Sequence, residues 1–237
     1  MILPIVLAAA LLPAILLLLY IYKKDPHPEP TTWLVKATLY GILVSVPLTF
    51  CELAVQYILF GGGEPTSFIG STAEAFLVAA VPEESFKLLA LWLILRRNPY
   101  FDEHFDGIVY AVCVGLGFAA LENVVYLVGS LDNWQVVALG RAFLAVPGHY
   151  AFAVLMGYYY SVYHFYDHST SAALKVLLMP VLAHGVYDML ALSGQISPEI
   201  GALSFFILIF FCFKMQKLAN QKIIAHVEKD TGKNTRT

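Results

Sequence analysis

Hydrophobic and polar positions fall along this chain in long blocks, not in the short periods of a soluble fold. Apolar runs recur from end to end, most of them long enough to cross a bilayer, for which about 20 residues suffice. They predict seven spans, at residues 2–22, 37–60, 71–95, 107–130, 134–160, 173–193 and, somewhat shorter, 198–213. The breaks are Lys23-Lys24 with the proline-rich DPHPEP, a Gly-Gly-Gly-Glu-Pro loop at 61–65, and Arg96-Arg97-Asn98-Pro99. The pattern predicts an all-α, polytopic transmembrane helix bundle over residues 1–213. A polar, basic cytoplasmic tail over 214–237 is expected to form a short, fraying surface helix. No repeat, low-complexity block or soluble domain stands out.

Composition agrees. The 237 residues are 59% hydrophobic and 13% charged, against about 25% charged in soluble domains. A net charge of −3 without a basic stripe gives no reason to expect nucleic acid, and the lipid bilayer is the implied partner. Cys51, Cys113 and Cys212 each sit in an apolar run, with no CxxC, which argues against disulfides or a thiolate metal site. The first run lacks a positive leader and small-residue cleavage site and reads as a retained helix. Lys23, Lys24, Arg96, Arg97, Lys214, Lys217 and Lys222 fall on one side of the bundle, whereas loops 61–70, 131–133 and 194–197 contain no Lys or Arg. The N-terminus is therefore expected outside and the C-terminus in the cytoplasm.

The third run changes the picture, because STAEAFLVAAVPEESFKLLALWLIL carries Glu83, Glu84 and Lys87 at its middle. A charge at the bilayer centre costs on the order of 2.5–3.5 kcal/mol or more, so these groups need partners or a water-filled cavity. Glu83 and Lys87, four apart, can pair on one helix face. Lys87 cannot fully satisfy both acids, so other helices must contribute. At about 1.5 Å per residue, Glu83 lies roughly 18 Å from the outer end of its span, Glu122 roughly 12 Å, His149 roughly 22 Å and His184 roughly 14 Å. Two carboxylates and two imidazoles thus share a layer in the outer half. Asp188, one turn from His184 at roughly 8 Å depth, can accept an imidazole N–H and orient the ring. Pro147-Gly148 should kink the fifth span and open a cavity at His149. Gly185, Gly115 and Gly117 allow close helix approach. Glu52 and Arg141 are a candidate pair, and His27, His104, His164, His168 and His226 are expected to be solvated.

Glu83-Glu84-Ser-Phe-Lys87 resembles the EExxK motif of the PrsW family of bacterial membrane proteases. Phe118-Ala-Ala-Leu-Glu122 with Asn123 is similar to its second motif, His149 to its intervening histidine, and His184-Gly-Val-Tyr-Asp188 to its later His motif. The resemblance runs from the second span through the sixth. It implies a bacterial plasma-membrane protease, related to the CAAX prenyl-protease and bacteriocin-processing superfamily, making the first cut in a membrane-anchored anti-sigma factor on its outer side. Glu122 stands where the prenyl-protease FxxxH motif has histidine.

The expected enzyme is an intramembrane endopeptidase acting on a single-span membrane protein. Glu83 is the general base, supported by Glu84 and Lys87; Glu122 and His149 hold the water; His184 with Asp188 stabilises the oxyanion. Two carboxylates and two imidazoles also make a zinc set. There is no HExxH, however, and Lys87 already supplies a positive charge, so metal-free glutamate chemistry is favoured over Zn2+. The alternatives are an ion- or proton-coupled transporter, since buried Glu and His also build proton relays, and a non-catalytic scaffold. A transporter more often shows repeated halves and broken helices.

Overall fold

The computed structural model describes residues 2–232, which contain helices and connecting turns and no strand among the described residues. In chain order these are α1 (Leu3–Lys24), α2 (Thr31–Phe60), α3 (Phe68–Ala73), a π-helical segment (Glu74–Ala80), α4 (Val81–Leu95) and α5 (His104–Gly129). There follow α6 (Trp134–Gly140), a second π segment (Arg141–Ala145), α7 (Val146–Phe165), α8 (Thr170–Leu192), a 3₁₀ turn (Ser193–Gln195) and α9 (Pro198–Asp230). Among the described residues, 6 helices are long and apolar enough to cross a membrane. The acidic third segment is the predicted span that does not qualify. It carries Glu74, Glu83, Glu84 and Lys87, and its α-helix is divided by the first π segment.

α5 is the axis of the bundle, buried along most of its length and packed against α1, α2, α4 and α7. Small residues permit this, because a Cβ on Gly117 would strike the Thr38 carbonyl of α2, and one on Gly115 would meet the Ala153 side chain of α7. A Cβ on Gly185 of α8 would collide with the Phe76 ring. Outward faces such as Leu43, Ile58, Leu203 and Phe206 are exposed and apolar, as a lipid-facing surface requires. Cys51, Cys113 and Cys212 are free thiols.

Two backbone irregularities flank the centre of the bundle. In the first π segment the Val81 N–H bonds to Phe76 O, and in the second the Val146 N–H bonds to Arg141 O. Each is followed by a proline, Pro82 or Pro147, which has no N–H to continue the ladder. The break expected at Pro147-Gly148 thus takes the form of a π turn immediately upstream. Such turns insert a residue and re-aim the face that follows. The faces re-aimed here carry Glu83-Glu84 and His149.

The polar segment beginning at residue 214 does not fray as a separate helix. It continues α9 to Asp230, with Met215, Ala219, Ile223 and His226 forming a buried inner face at helical spacing. Asp230 accepts the backbone N–H groups of His104 (3.1 Å) and Phe105 (2.8 Å), capping α5, and pairs with His104 Nδ1 at 2.5 Å. His226, expected in solvent, is 3% exposed, with Nδ1 2.8 Å from His104 O. These two histidines are drawn in because the fold returns the end of α9 to the start of α5, a contact too distant in sequence for local pattern to reveal.

Candidate active site

Glu83, Glu84 and Lys87 lie in the first turns of α4, Glu122 and Asn123 on α5, His149 near the start of α7, and His184 and Asp188 on α8. The structure joins all eight in one hydrogen-bonded network. Lys87 Nζ donates to Glu83 Oε2 (2.9 Å) and Glu84 Oε1 (2.8 Å) and stands 3.2 Å from His149 Nδ1. Lys87 reaches both acids through its flexible stem, but it leaves Glu84 Oε2 without a partner, so it does not satisfy them fully. The other helices still contribute. His184 Nδ1 is 2.8 Å from Glu84 Oε1 and its Nε2 is 3.1 Å from Asp188 Oδ2. A ring that satisfies both carboxylates carries a proton on each nitrogen.

His149 Nε2 is 2.8 Å from Glu122 Oε2, and the same oxygen receives Arg141 Nη2 at 2.6 Å. Arg141 Nε bonds to Asn123 Oδ1 at 2.5 Å, and Asn123 Nδ2 donates to Ala10 O of α1 at 3.0 Å. Arg141 thus pairs with Glu122 and Asn123, not with Glu52, because the second π segment places it over α5. Its guanidinium also lies 4.0 Å from the centre of the Tyr126 ring. The aromatic walls, like Arg141's role, went unread in the sequence. Phe152 stacks on His184 with ring centres 4.9 Å apart, and Lys87 Nζ lies 4.2 Å from the centre of the Phe118 ring. The lone Arg inside an apolar run was the available signal for Arg141. Aromatic spacing offered none.

Glu83, Glu84, Lys87, Asn123, His149 and His184 are all buried. Beside them opens a cavity of about 1230 Å³, reached by Glu83, Glu122, Arg141, His149, His184 and Asp188. Glu84, Lys87 and Asn123 do not reach it and stand behind the wall. Glu52 of α2 also lines the cavity. The cluster thus has a front open to the cavity and a back enclosed by protein.

Glu83, Glu84, His149 and His184 each offer a donor atom within 4.8 Å of the others, close enough to hold a metal ion. The O/N donor types suit zinc, and Glu84 Oε2 is buried without a hydrogen-bond partner. The set fits a divalent cation, although Lys87 engages three of its four members.

Comparison with known proteins agrees with this geometry. The family model described as "PrsW family intramembrane metalloprotease" matches residues 29–215. "Protease PrsW" of Geobacillus kaustophilus is 38% identical over 191 residues, covering 80% of each chain. The Bacillus subtilis protein of that name is 35% identical over 198 residues, 81% of this chain and 85% of its own. That of Clostridioides difficile is 32% identical over 226 residues, 93% and 92% respectively. No solved structure matches the chain.

Proposed function

The chain belongs to the PrsW family of intramembrane proteases, and on that premise we propose that Glu83 activates water to cut a single-span membrane protein inside the cavity. It is a multi-pass protein of the bacterial membrane, and a transporter is not favoured, since its relatives are proteases. The observation that carries the mechanism is the division of the cluster. Glu83, His149 and His184 open on the cavity, while Lys87 and Glu84 lie behind them. At about 1230 Å³ the cavity exceeds the roughly 300–1,000 Å³ of small-molecule pockets, as an unwound stretch of polypeptide needs.

In this reading Glu83 accepts a proton from water as the water oxygen bonds to the scissile carbonyl carbon. Lys87 on Glu83 Oε2 balances the carboxylate, and Oε1 is the oxygen assigned to take the proton. His184, anchored at Nδ1 by Glu84, donates to the oxyanion from Nε2 once that N–H turns from Asp188. Glu122, fixed by Arg141 and His149, holds the water from the other side. When the C–N bond breaks, Glu83 returns its proton to the departing amine. Glu83, Glu84, His149 and His184 would hold a divalent ion, most suitably zinc, which when bound polarises a water or carbonyl oxygen. Glutamate chemistry remains the favoured account because Lys87 already balances the two acids.

The resemblance supports an anti-sigma factor as the class of substrate, cut near the outer face. Incubating purified protein with candidate single-span proteins and mapping the cut by mass spectrometry tests the reading. A defined cut that disappears in Glu83→Gln is expected, and wild-type protein that leaves every candidate intact would count against it.

A further inference from the structure

Lys87 occupies an unusual place for a lysine. Its ammonium is 2.9 Å from Glu83, 2.8 Å from Glu84 and 3.2 Å from His149, three of the four residues whose donors converge closely enough for a metal. The residue is only 3% exposed, so the charge is held almost wholly by protein groups. The fourth donor residue, His184, binds the same Glu84 oxygen that Lys87 does. The Phe118 ring closes a further side of the ammonium, at 4.2 Å from its centre. A lysine ammonium has three hydrogens to donate, and this one has three acceptors at hydrogen-bonding distance.

We infer that Lys87 is the resident cation of this cluster, and that a divalent ion gains the site only by displacing it. Three of the four residues a metal would take are residues the ammonium already uses, and a divalent ion placed among them would stand against the Lys87 charge at contact distance. The carboxylates gain from either occupant, since buried acids of like charge require a cation between them. The difference is covalent attachment. Lys87 is tethered one turn from its partners and needs no association step, whereas a free ion must pay for both its own dehydration and the displacement. One conspicuous oxygen is left over, because Glu84 Oε2 is buried without a partner. It is the atom a divalent ion would recruit once the ammonium is gone.

The test measures binding of zinc alone, by equilibrium dialysis with elemental analysis, to detergent-purified full-length protein after chelator treatment. Wild type is compared with Lys87→Gln, which keeps an N–H donor but loses the charge, and with Lys87→Met, which loses both. Zinc should bind at least tenfold more tightly to Lys87→Gln than to wild type, with one ion per chain. Adding Glu84→Gln to Lys87→Gln should remove that gain, which separates the cluster from adventitious surface binding. Zinc should also raise the melting temperature of the lysine variants more than that of wild type. Should Lys87→Gln fail to fold alone, Lys87→Met purified with zinc present supplies the comparison, and loss of its fold on chelation is the expected result. Equal or tighter zinc binding by wild type than by both variants would overturn the inference. So would tighter binding that survives Glu84→Gln. None of these readouts depends on cleavage, so failure here is distinct from failure of the protease reading.

Discussion

Lys87 Nζ lies 3.2 Å from His149 Nδ1, and this single contact sets the state of the histidine. An ammonium only donates, so Nδ1 is the acceptor and the ring proton resides on Nε2. From there it is donated to Glu122 Oε2, 2.8 Å away. The acidic helix thereby fixes a histidine tautomer on α7, which in turn orients a carboxylate on α5. Both nitrogens of His149 are engaged, so its contribution to holding water passes through Glu122, not through a free ring nitrogen.

The two adjacent glutamates should therefore fail in different ways when neutralised. Glu83→Gln removes the base at the cavity wall with little change in volume. Cleavage should fall by roughly 10²–10⁴, the usual contribution of a general base, with a smaller loss of melting temperature than in Glu84→Gln, because Glu83 opens on the cavity whereas Glu84 is fully enclosed. Glu84 is fully buried behind the wall, bonded to Lys87 and His184. Glu84→Gln should lower stability by about 3 kcal/mol, the order expected when one partner of a buried pair is removed, and lose cleavage along with it. Parallel melting curves and cleavage rates decide the matter. Near-normal proteolysis by Glu83→Gln at equal expression would remove that residue from the mechanism.

Arg141 carries the next expectation. Its fork spans Glu122 and Asn123, an arrangement that lysine cannot reproduce. Arg141→Leu should cost about 2 kcal/mol, less than the roughly 3–5 of a fully buried pair, since these side chains are 13% and 21% exposed. Cleavage should drop at least tenfold as Glu122 loses its anchor, and Arg141→Lys should recover only part of it. Wild-type melting and wild-type cleavage in Arg141→Leu would show that the fork does neither job.

Helix existence was readable from the long apolar runs, the central acids and histidines because burying charged or ionisable groups in lipid is so costly, and Asn123 only from the motif resemblance. Depth counting correctly grouped Glu83, Glu122, His149 and His184, although it could not pair them. What escaped was anything set by rotation about a helix axis. The π segments turn Arg141 toward α5 and away from Glu52, and no periodicity in the sequence marks them. The C-terminal segment misled for a different reason. Its exposed face is polar enough to read as a tail, while Met215, Ala219, Ile223 and His226 form a narrow buried stripe.

That stripe ends in a cap whose removal should be measurable. Asp230 accepts two N–H groups at the start of α5, and replacing such a cap by alanine costs about 0.5–2 kcal/mol. Asp230→Ala should lower the melting temperature without changing the position of the cut in a substrate. An unchanged melting temperature would reduce the contact to an incidental one.

The loop between α1 and α2 makes a prediction about pH. Burial pushes the Glu29 carboxyl from its ordinary 4.5 up to about 7, while its hydrogen bond from Tyr110 pulls it down and the charges of Asp25 and Asp102 raise it. A raised carboxyl means the fold prefers the protonated form. Its contribution is therefore fully present below about pH 4.5 and is lost as pH rises through about 7. Asp25, also raised mainly by burial, acts with the same sign. Between about pH 5 and pH 8, Glu29→Gln should show a smaller fall in melting temperature than wild type. Identical slopes would mean Glu29 takes no part.

The last prediction concerns how the acidic segment sits in the bilayer. The 6 helices that qualify as spans would, alone, leave both chain ends on one side. Only if the segment from α3 through α4 also crosses do the ends fall on opposite sides, as the Lys and Arg distribution predicts. Its charges do not forbid this, because Glu83, Glu84 and Lys87 all find partners inside the bundle. Single cysteines can settle it in a background where Cys51, Cys113 and Cys212 are replaced. Positions in 61–70 should react with an impermeant thiol reagent on intact cells, and positions near Arg96 only after permeabilisation. Labelling of both loops from the same side would make the segment re-entrant. The reversed pattern would overturn the orientation and move the expected cut to the cytoplasmic face. If the predicted pattern holds, Glu83 lies in a crossing segment that begins outside. The cavity beside it is then reached by a substrate whose scissile bond lies toward the outer surface.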